Sequence, residues 1–415
     1  MRKLKAIACF LLFPLTTNAQ MNMDSIRQSV KYLEEGLQTK KVSVSQQGFA
    51  PDFSISTYTL PSAAGLLGTI MQGMTFESVQ LDSKADHTAG DTTYVYARFT
   101  LPEGKEEKSV IAFNSSNKIL FIDYFDRLFG HSRYWKSSLA VTIPFQLNGN
   151  SIILSARLND SSRTLSFLLD TGADGMAIRK SVAEEIGLQA NRTQNASVVG
   201  GQATVQISGG NVVHLSDSLA MNRQNIAIFE KVREGIDGII GLNLVKQYIT
   251  KVDFDTQTIS LYTFGTYDFP DEGYVIPVRI SGSLVMLPSE LNLTGNKSIT
   301  GNFIMDTGAN YYLIAFSQFV RKNRLLLSGF KPEGNGTTVS LGHVTPVYYG
   351  HAHSLKVGDI MQENIPVTLQ ASTGNDVSPN TGVDGSVGIQ FFNNYNFTVD
   401  LLRKTIHLHP RQSKE

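Results

Sequence analysis

One phrase of seven residues occurs twice in the chain: Phe167-Leu168-Leu169-Asp170-Thr171-Gly172-Ala173 recurs as Phe303-Ile304-Met305-Asp306-Thr307-Gly308-Ala309, with the aspartates 306 − 170 = 136 positions apart. A second phrase follows each copy. Gly235-Ile236-Asp237-Gly238-Ile239-Ile240-Gly241 returns as Gly382-Val383-Asp384-Gly385-Ser386-Val387-Gly388, an offset of 384 − 237 = 147. A third, Lys251-Val252-Asp253-Phe254, returns as Thr398-Val399-Asp400-Leu401, and 400 − 253 is again 147. Three elements in one order at nearly constant spacing mark a duplicated structural unit. The chain therefore reads as two homologous lobes, 141–270 and 271–415.

The repeated phrase has a physical logic of its own. Residues 167–169 are an apolar run that suits a buried strand, and Asp170 stands at its end. A carboxylate there loses water and needs amides or a partner group in exchange. Gly172 permits a tight turn that brings amide N–H groups toward it, Ala173 permits close approach, and Thr171 offers a β-branched side chain with a hydroxyl. A pseudo-two-fold axis between the lobes would set Asp170 against Asp306. Two carboxylates in contact cannot both ionise easily, so they share a proton and titrate as a unit. In that state one is a base that can activate water and the other an acid that can protonate a carbonyl.

The surrounding pattern is mainly β. Short β-branched or apolar runs at 141–145, 152–158, 275–280 and 365–369 are separated by Gly, Asn and Asp clusters such as Asn148-Gly149-Asn150. A short helix is expected after each aspartate turn, at 181–186 before Gly187 and at 316–325. The Gly200-Gly201 pair within 197–205 suits a hairpin tip. Residues 20–140 differ. Ile26, Val30, Leu33 and Leu37 recur at helical spacing, and strand-like runs at 93–101, 109–113 and 118–123 follow, the last two joined through Asn114-Ser115-Ser116-Asn117. This segment reads as a small α+β domain, either an accessory domain or a pro-segment.

The two Asp-Thr-Gly turns, with the segments that end in Ile239-Ile240-Gly241 and Ser386-Val387-Gly388, resemble the aspartic peptidase clan that includes pepsin and the retroviral proteases; the chain looks like a bacterial-type exported member. The resemblance covers 141–409. It implies a bilobal acid-protease β-barrel fold preceded by the α+β domain, with Asp170 and Asp306 as the catalytic pair. It also implies that Thr171 and Thr307 exchange hydrogen bonds across the lobes, with Gly172 and Gly308 completing the dyad's support. Val199, Gly200 and Gly201 fall where the clan carries a flap over the bound peptide, and Asp174 joins the expected substrate-binding residues. The resemblance implies an endopeptidase with a peptide or protein substrate and no cofactor or metal. The chain departs from pepsin in three ways. Ala173 and Ala309 stand where pepsin has a hydroxyl residue, which removes a donor to each carboxylate and predicts an optimum nearer mild acid. Asp174 continues the retroviral-like run, whereas the second lobe has Asn310 at that position. Ser386 replaces an apolar residue, which predicts a looser second lobe.

Composition narrows the rest. The 415 residues carry 36 basic and 36 acidic side chains, a balance that argues against general nucleic-acid binding. Arg2-Lys3-Leu4-Lys5, an apolar run over 6–15 and Thr17-Asn18-Ala19 read as a signal peptide, 1–19, cut near Ala19, so the chain is expected to be exported to a periplasm or secreted. The single cysteine, Cys9, lies within it, which leaves the mature chain without a thiol nucleophile. No later run reaches membrane-spanning length. No HExxH, GxSxG or Walker A motif occurs, and the pairs His351/His353 and His407/His409 read as strand residues facing solvent. Two lobes on one chain make a dimer unnecessary for the dyad, so a monomer is expected. The other reading is a non-catalytic peptide- or protein-binding module on the same scaffold.

Overall fold

A computed structural model describes residues 22–82, 87–198, 201–270, 273–281, 283–340, 343–371 and 382–412. Residues 1–19, read from the sequence as a signal peptide, lie outside the described residues, as do Val199 and Gly200. The chain divides into two compact units, one of Met1–Ile55 with Ser62–Asp126, the other of Ser56–Pro61 with Arg127–Glu415.

The first unit is α+β. Asn22 caps its opening helix, Met23–Thr39, by accepting the N–H groups of Asp24 and Ser25. Ile26, Val30, Leu33 and Leu37 form the buried face, the helical spacing visible in the sequence. Lys40 ends the helix in the left-handed region, φ 56°. Strands Ser78–Leu81, Thr92–Thr100, Glu106–Phe113 and Ile119–Ile122 form an antiparallel sheet in that order, and His87–Ala89 pairs with Thr92–Thr100. The turn between the last two strands closes because Asn114 Oδ1 accepts the N–H of both Ser116 and Lys118. Phe76, Phe99, Tyr124 and Phe125 pack edge-on or tilted beneath the sheet.

The second unit is a bilobal β fold. In the first lobe the aspartate strand, Leu165–Leu169, lies between Ser151–Leu158 and a short brace strand, Gly238–Ile240, which in turn pairs with Met176–Arg179. From there the sheet runs through Ala220–Phe229 to Gly201–His214, which closes back onto Ser151–Leu158. The second lobe repeats this order. Its aspartate strand, Ser298–Asp306, lies between Leu284–Asn292 and the brace Gly385–Gly388, followed by Leu313–Ala315, Ile360–Gln370 and His343–Val357, which closes onto Leu284–Asn292.

The register is duplicated as well. Phe167 pairs with Gly238 in parallel, and Phe303 pairs with Gly385. Both phenylalanines are fully buried, worth about 1.5–3 kcal/mol each in apolar burial. A backbone carbonyl and the ring together require the opposing glycines: a Cβ on Gly238 would stand 2.4 Å from Ala177 O and 2.6 Å from the Phe167 ring, and one on Gly385 2.1 Å from Ile314 O and 2.9 Å from the Phe303 ring. Short helices follow each turn, Lys180–Glu185, with Gly187 at φ 70°, and Ser317–Lys322.

A central sheet joins the lobes in the order Leu139–Asn148, Thr258–Tyr262, Ile249–Asp253, Tyr395–Asp400, Thr405–Pro410, Tyr274–Pro277. At its middle Thr250 pairs with Val399, Lys251 with Thr398 and Val252 with Phe397. Lys251 and Thr398 are repeat equivalents, since 398 − 251 = 147. The pairs on either side exchange under the same offset, so the pseudo-two-fold axis passes between Lys251 and Thr398.

Candidate active site

The two aspartate turns meet across this axis. Each strand delivers its carboxyl at the point where the brace ends. Asp170 N–H donates to Ile240 O at 2.9 Å, and Asp306 pairs with Gly388 in the brace register. The next residue after each brace ties back to the turn: Leu242 N–H donates to Ala173 O at 2.8 Å, and Ile389 N–H to Ala309 O at 3.0 Å. A Cβ on Gly241 would stand 2.4 Å from Ala173 O, and one on Gly388 2.2 Å from Tyr311 O. The bracing segments thus need glycine because the turn's carbonyls press on them.

Thr171 and Thr307 lock the turns together. Thr171 N–H donates to Thr307 Oγ1 at 3.0 Å, and Thr307 N–H to Thr171 Oγ1 at 3.1 Å. Each hydroxyl then donates to the opposite aspartate strand, Thr171 to Met305 O and Thr307 to Leu169 O, both at 2.8 Å. All four bonds are buried. Each hydroxyl uses its donor and an acceptor lone pair at once, so the lattice is satisfied without water.

This cage puts the carboxyls in contact. The carboxyls of Asp170 and Asp306 lie against each other, and Gly172 N–H donates to Asp170 Oδ1 at 2.9 Å. A Cβ on Gly308 would stand 2.3 Å from Asp170 Cγ, and one on Gly172 2.8 Å from Asp306 Cγ. The glycines therefore admit the opposite carboxyl, a constraint beyond the tight turn. Both aspartates are surrounded by protein yet keep some open surface. Burial pushes Asp170 upward against the Gly172 and Ala173 amides. It pushes Asp306 well above the usual carboxylate range, and the neighbouring charge of Asp170 adds to the push. The physical content is that the pair holds a proton where a lone carboxyl would release it.

Two residues not singled out in the sequence also reach the site. Tyr311 donates its hydroxyl to Asp306 Oδ2 at 3.2 Å and makes a short hydrogen bond with Ser386 Oγ. Ser386 is fully buried, so the polar residue in the second brace has its partner in Tyr311. The other is Lys246, whose side chain is only 6% exposed and pairs with Asp174. Its ammonium lies 5.5 Å from the centre of the Tyr58 ring, and its carbonyl accepts from Thr57 Oγ1 at 3.1 Å. Asp174 is thus held by a cation, while its second-lobe counterpart, Asn310, accepts from Asn150 at 3.0 Å.

Of the flap residues, Gly201 opens strand Gly201–His214, which pairs with Arg192–Val198 through to Val198↔Gly201; Val199 and Gly200 lie outside the described residues. His407 stacks on Phe269 at 3.5 Å, and burial lowers it to about 4. His351 lies 2.6 Å from Glu333. Among the described residues no group of three His, Cys, Asp or Glu side chains is placed to hold a metal ion, and no helix is long and apolar enough to cross a membrane.

Residues 154–244 match a family profile described as an aspartyl protease. That span contains the first aspartate turn, Asp174 and the first brace. Among solved structures, the aspartic proteinase from Irpex lacteus is similar over 67% of this chain and 98% of its own, at 14% identity and a TM-score of 0.43. No curated protein matches the sequence.

Proposed function

We propose that the second unit is an aspartic endopeptidase that hydrolyses peptide bonds with a water activated between Asp170 and Asp306. The observation that carries this reading is the contact of two protonation-coupled carboxyls inside the Thr171–Thr307 cage. The ionised carboxyl takes a proton from water as the oxygen attacks the peptide carbonyl. The protonated one gives its proton to the carbonyl oxygen. The tetrahedral intermediate then collapses with protonation of the leaving nitrogen, and the dyad regains one shared proton. No covalent intermediate forms. The match of 154–244 to an aspartyl protease profile supports the assignment for the first lobe, and the duplicated register extends it to the second.

The peptide substrate would enter above the carboxyls, with the hairpin of Arg192–Val198 and Gly201–His214 as the candidate flap and Asp174 beside the first turn. Export with signal cleavage near Ala19, to a periplasm or the exterior, and action as a monomer complete the proposal. The test is a mixed-peptide digest across pH with the wild type, Asp170→Asn and Asp306→Asn. Cleavage abolished in both variants supports the enzyme. A wild type, freed of any pro-segment, that binds peptides and cleaves none at any pH would establish the binding module instead.

A further inference from the structure

The two lobes correspond closely around the dyad, and besides Asp174 against Asn310 they part at two positions that touch each other. Tyr311 follows Asp306 by five residues, and its first-lobe equivalent at 311 − 136 = 175 is Gly175, which has no side chain. Ser386 lies in the second brace, and its equivalent at 386 − 147 = 239 is Ile239, which has no polar atom beyond its backbone. The hydroxyl pair therefore exists on one side of the dyad only. Tyrosine has one hydroxyl proton and directs it at Asp306 Oδ2, 3.2 Å away. The Ser386 hydroxyl must then donate to the phenol oxygen. A donor chain runs from the brace strand through the phenol to one catalytic carboxyl, and each bond in such a chain polarises the next.

Ala309, the residue after Gly308, has no side-chain donor. The side-chain donor to Asp306 comes two positions later, from Tyr311. Among the described residues no side-chain hydroxyl reaches Asp170, which accepts the backbone amides of Gly172 and Ala173 as Asp306 accepts that of Ala309. Among the described residues, the titratable groups acting on Asp306 are Asp170 and Tyr311, and those acting on Tyr311 are Asp306 and Asp170. The brace strand contributes only the neutral Ser386 hydroxyl. Burial and the Asp306 charge push the phenol well above its ordinary range, so it remains a donor throughout the range in which the carboxyls titrate.

We propose that Tyr311 is a positioning residue of the dyad, oriented by Ser386, which fixes the Asp306 carboxyl and favours its ionised form. The inference rests on the peptidase reading for its consequence in catalysis, but its electrostatic content can be read without turnover. A phenol that only fills space would act alike at every pH. One that donates to a carboxylate matters more once the dyad is ionised.

The experiment compares the full chain with Tyr311→Phe and Ser386→Ala. In peptide cleavage, Tyr311→Phe is expected to lower kcat roughly tenfold to a hundredfold, as for a lost hydrogen bond to a charged group, with KM little changed. The acidic limb of its pH profile should move upward, because the ionised dyad has lost a donor. Ser386→Ala should move the limb the same way by less. Thermal unfolding supplies the readout independent of activity: the loss in Tm from Tyr311→Phe should be larger at pH 7 than at pH 4, and this difference should disappear in an Asp306→Asn background. If Tyr311→Phe does not fold, the same unfolding comparison with Ser386→Ala decides. An unshifted acidic limb, or a Tm loss equal at both pH values, overturns the inference while leaving the peptidase reading intact. A wild type without activity fails that reading, and the unfolding comparison then still decides the role of Tyr311.

Discussion

Thr171 and Thr307 each hold the strand that carries the other's aspartate, Thr171 through Met305 O and Thr307 through Leu169 O, both at 2.8 Å. The dyad's geometry is therefore set by side chains next to the carboxyls and fixed from the far side of the lobe interface. Neither lobe can place its own aspartate alone.

Thr171→Val preserves shape and removes this exchange. It leaves Met305 C=O and Thr307 N–H buried and unpaired, at about 1–3 kcal/mol each. Urea unfolding should show a loss of that order, with cleavage falling in parallel. Thr171→Ser keeps the hydroxyl and should recover most of both. A valine variant as stable as the wild type would show that water replaces the cage.

The dyad should also leave a mark on stability as a function of pH. Its native proton affinity is raised by burial and mutual charge, while in the unfolded chain each carboxyl returns to about 4. A raised native pKa contributes stability that is complete below the unfolded value and is lost as pH rises through the native one. Stability from this source should thus decline from mild acid toward neutrality. Asp306→Asn removes one titrating partner, so Tm should fall less steeply over that window and lie above the wild type at pH 7. A variant curve parallel to the wild type would contradict the coupling.

Gly308→Ala tests the close approach directly. Its methyl would stand 2.3 Å from Asp170 Cγ, which forces the carboxyls apart. A displacement of that kind is expected to cost about a hundredfold or more in kcat. Gly65→Ala is the control: it lies in helix Ser62–Gly73, and its Cβ would meet nothing within 4 Å. It should leave cleavage unchanged and raise stability by about 0.5–1 kcal/mol.

Residues 56–61 belong to the second unit although the segments on either side belong to the first. Thr57 Oγ1 donates to Lys246 O at 3.1 Å and Thr59 Oγ1 to Ile280 O at 3.0 Å. A chain beginning at residue 141 loses both anchors and should unfold at lower temperature than one beginning at 21. Thr57→Val with Thr59→Val in the longer chain should reproduce part of that loss. Peptidase activity of the same two chains separates an accessory domain from a pro-segment, since equal activity would sink the pro-segment idea.

The sequence revealed the parts of the site that are written twice. The aspartate turns, the bracing segments and the central strands repeat, and repetition made them visible. Mainly β character followed from the short apolar runs between turn residues. Tyr311 was hidden because its partner Ser386 lies 75 positions away, and only the parallel register of the brace brings the two together. One signal was available: where the first lobe has Gly175 and Ile239, the second has the hydroxyl residues Tyr311 and Ser386, and paired departures of that kind point to a contact. Lys246 was hidden for the same reason. Nothing near it in sequence marks it as the cation beside Asp174, and the short strand Tyr58–Thr59 comes from a segment nearly two hundred residues earlier.

The pairing of Lys251 with Thr398 at the pseudo-two-fold axis bears on whether either half could still live as a separate homodimer. A symmetric assembly of two first lobes would set Lys251 against its own copy at the centre of a ladder, and like charges directly opposite are destabilising. Two second lobes would meet through Thr398 without that repulsion. With both halves on one chain, Lys251 meets Thr398 in place of its own copy, and the centre of the ladder carries no such repulsion.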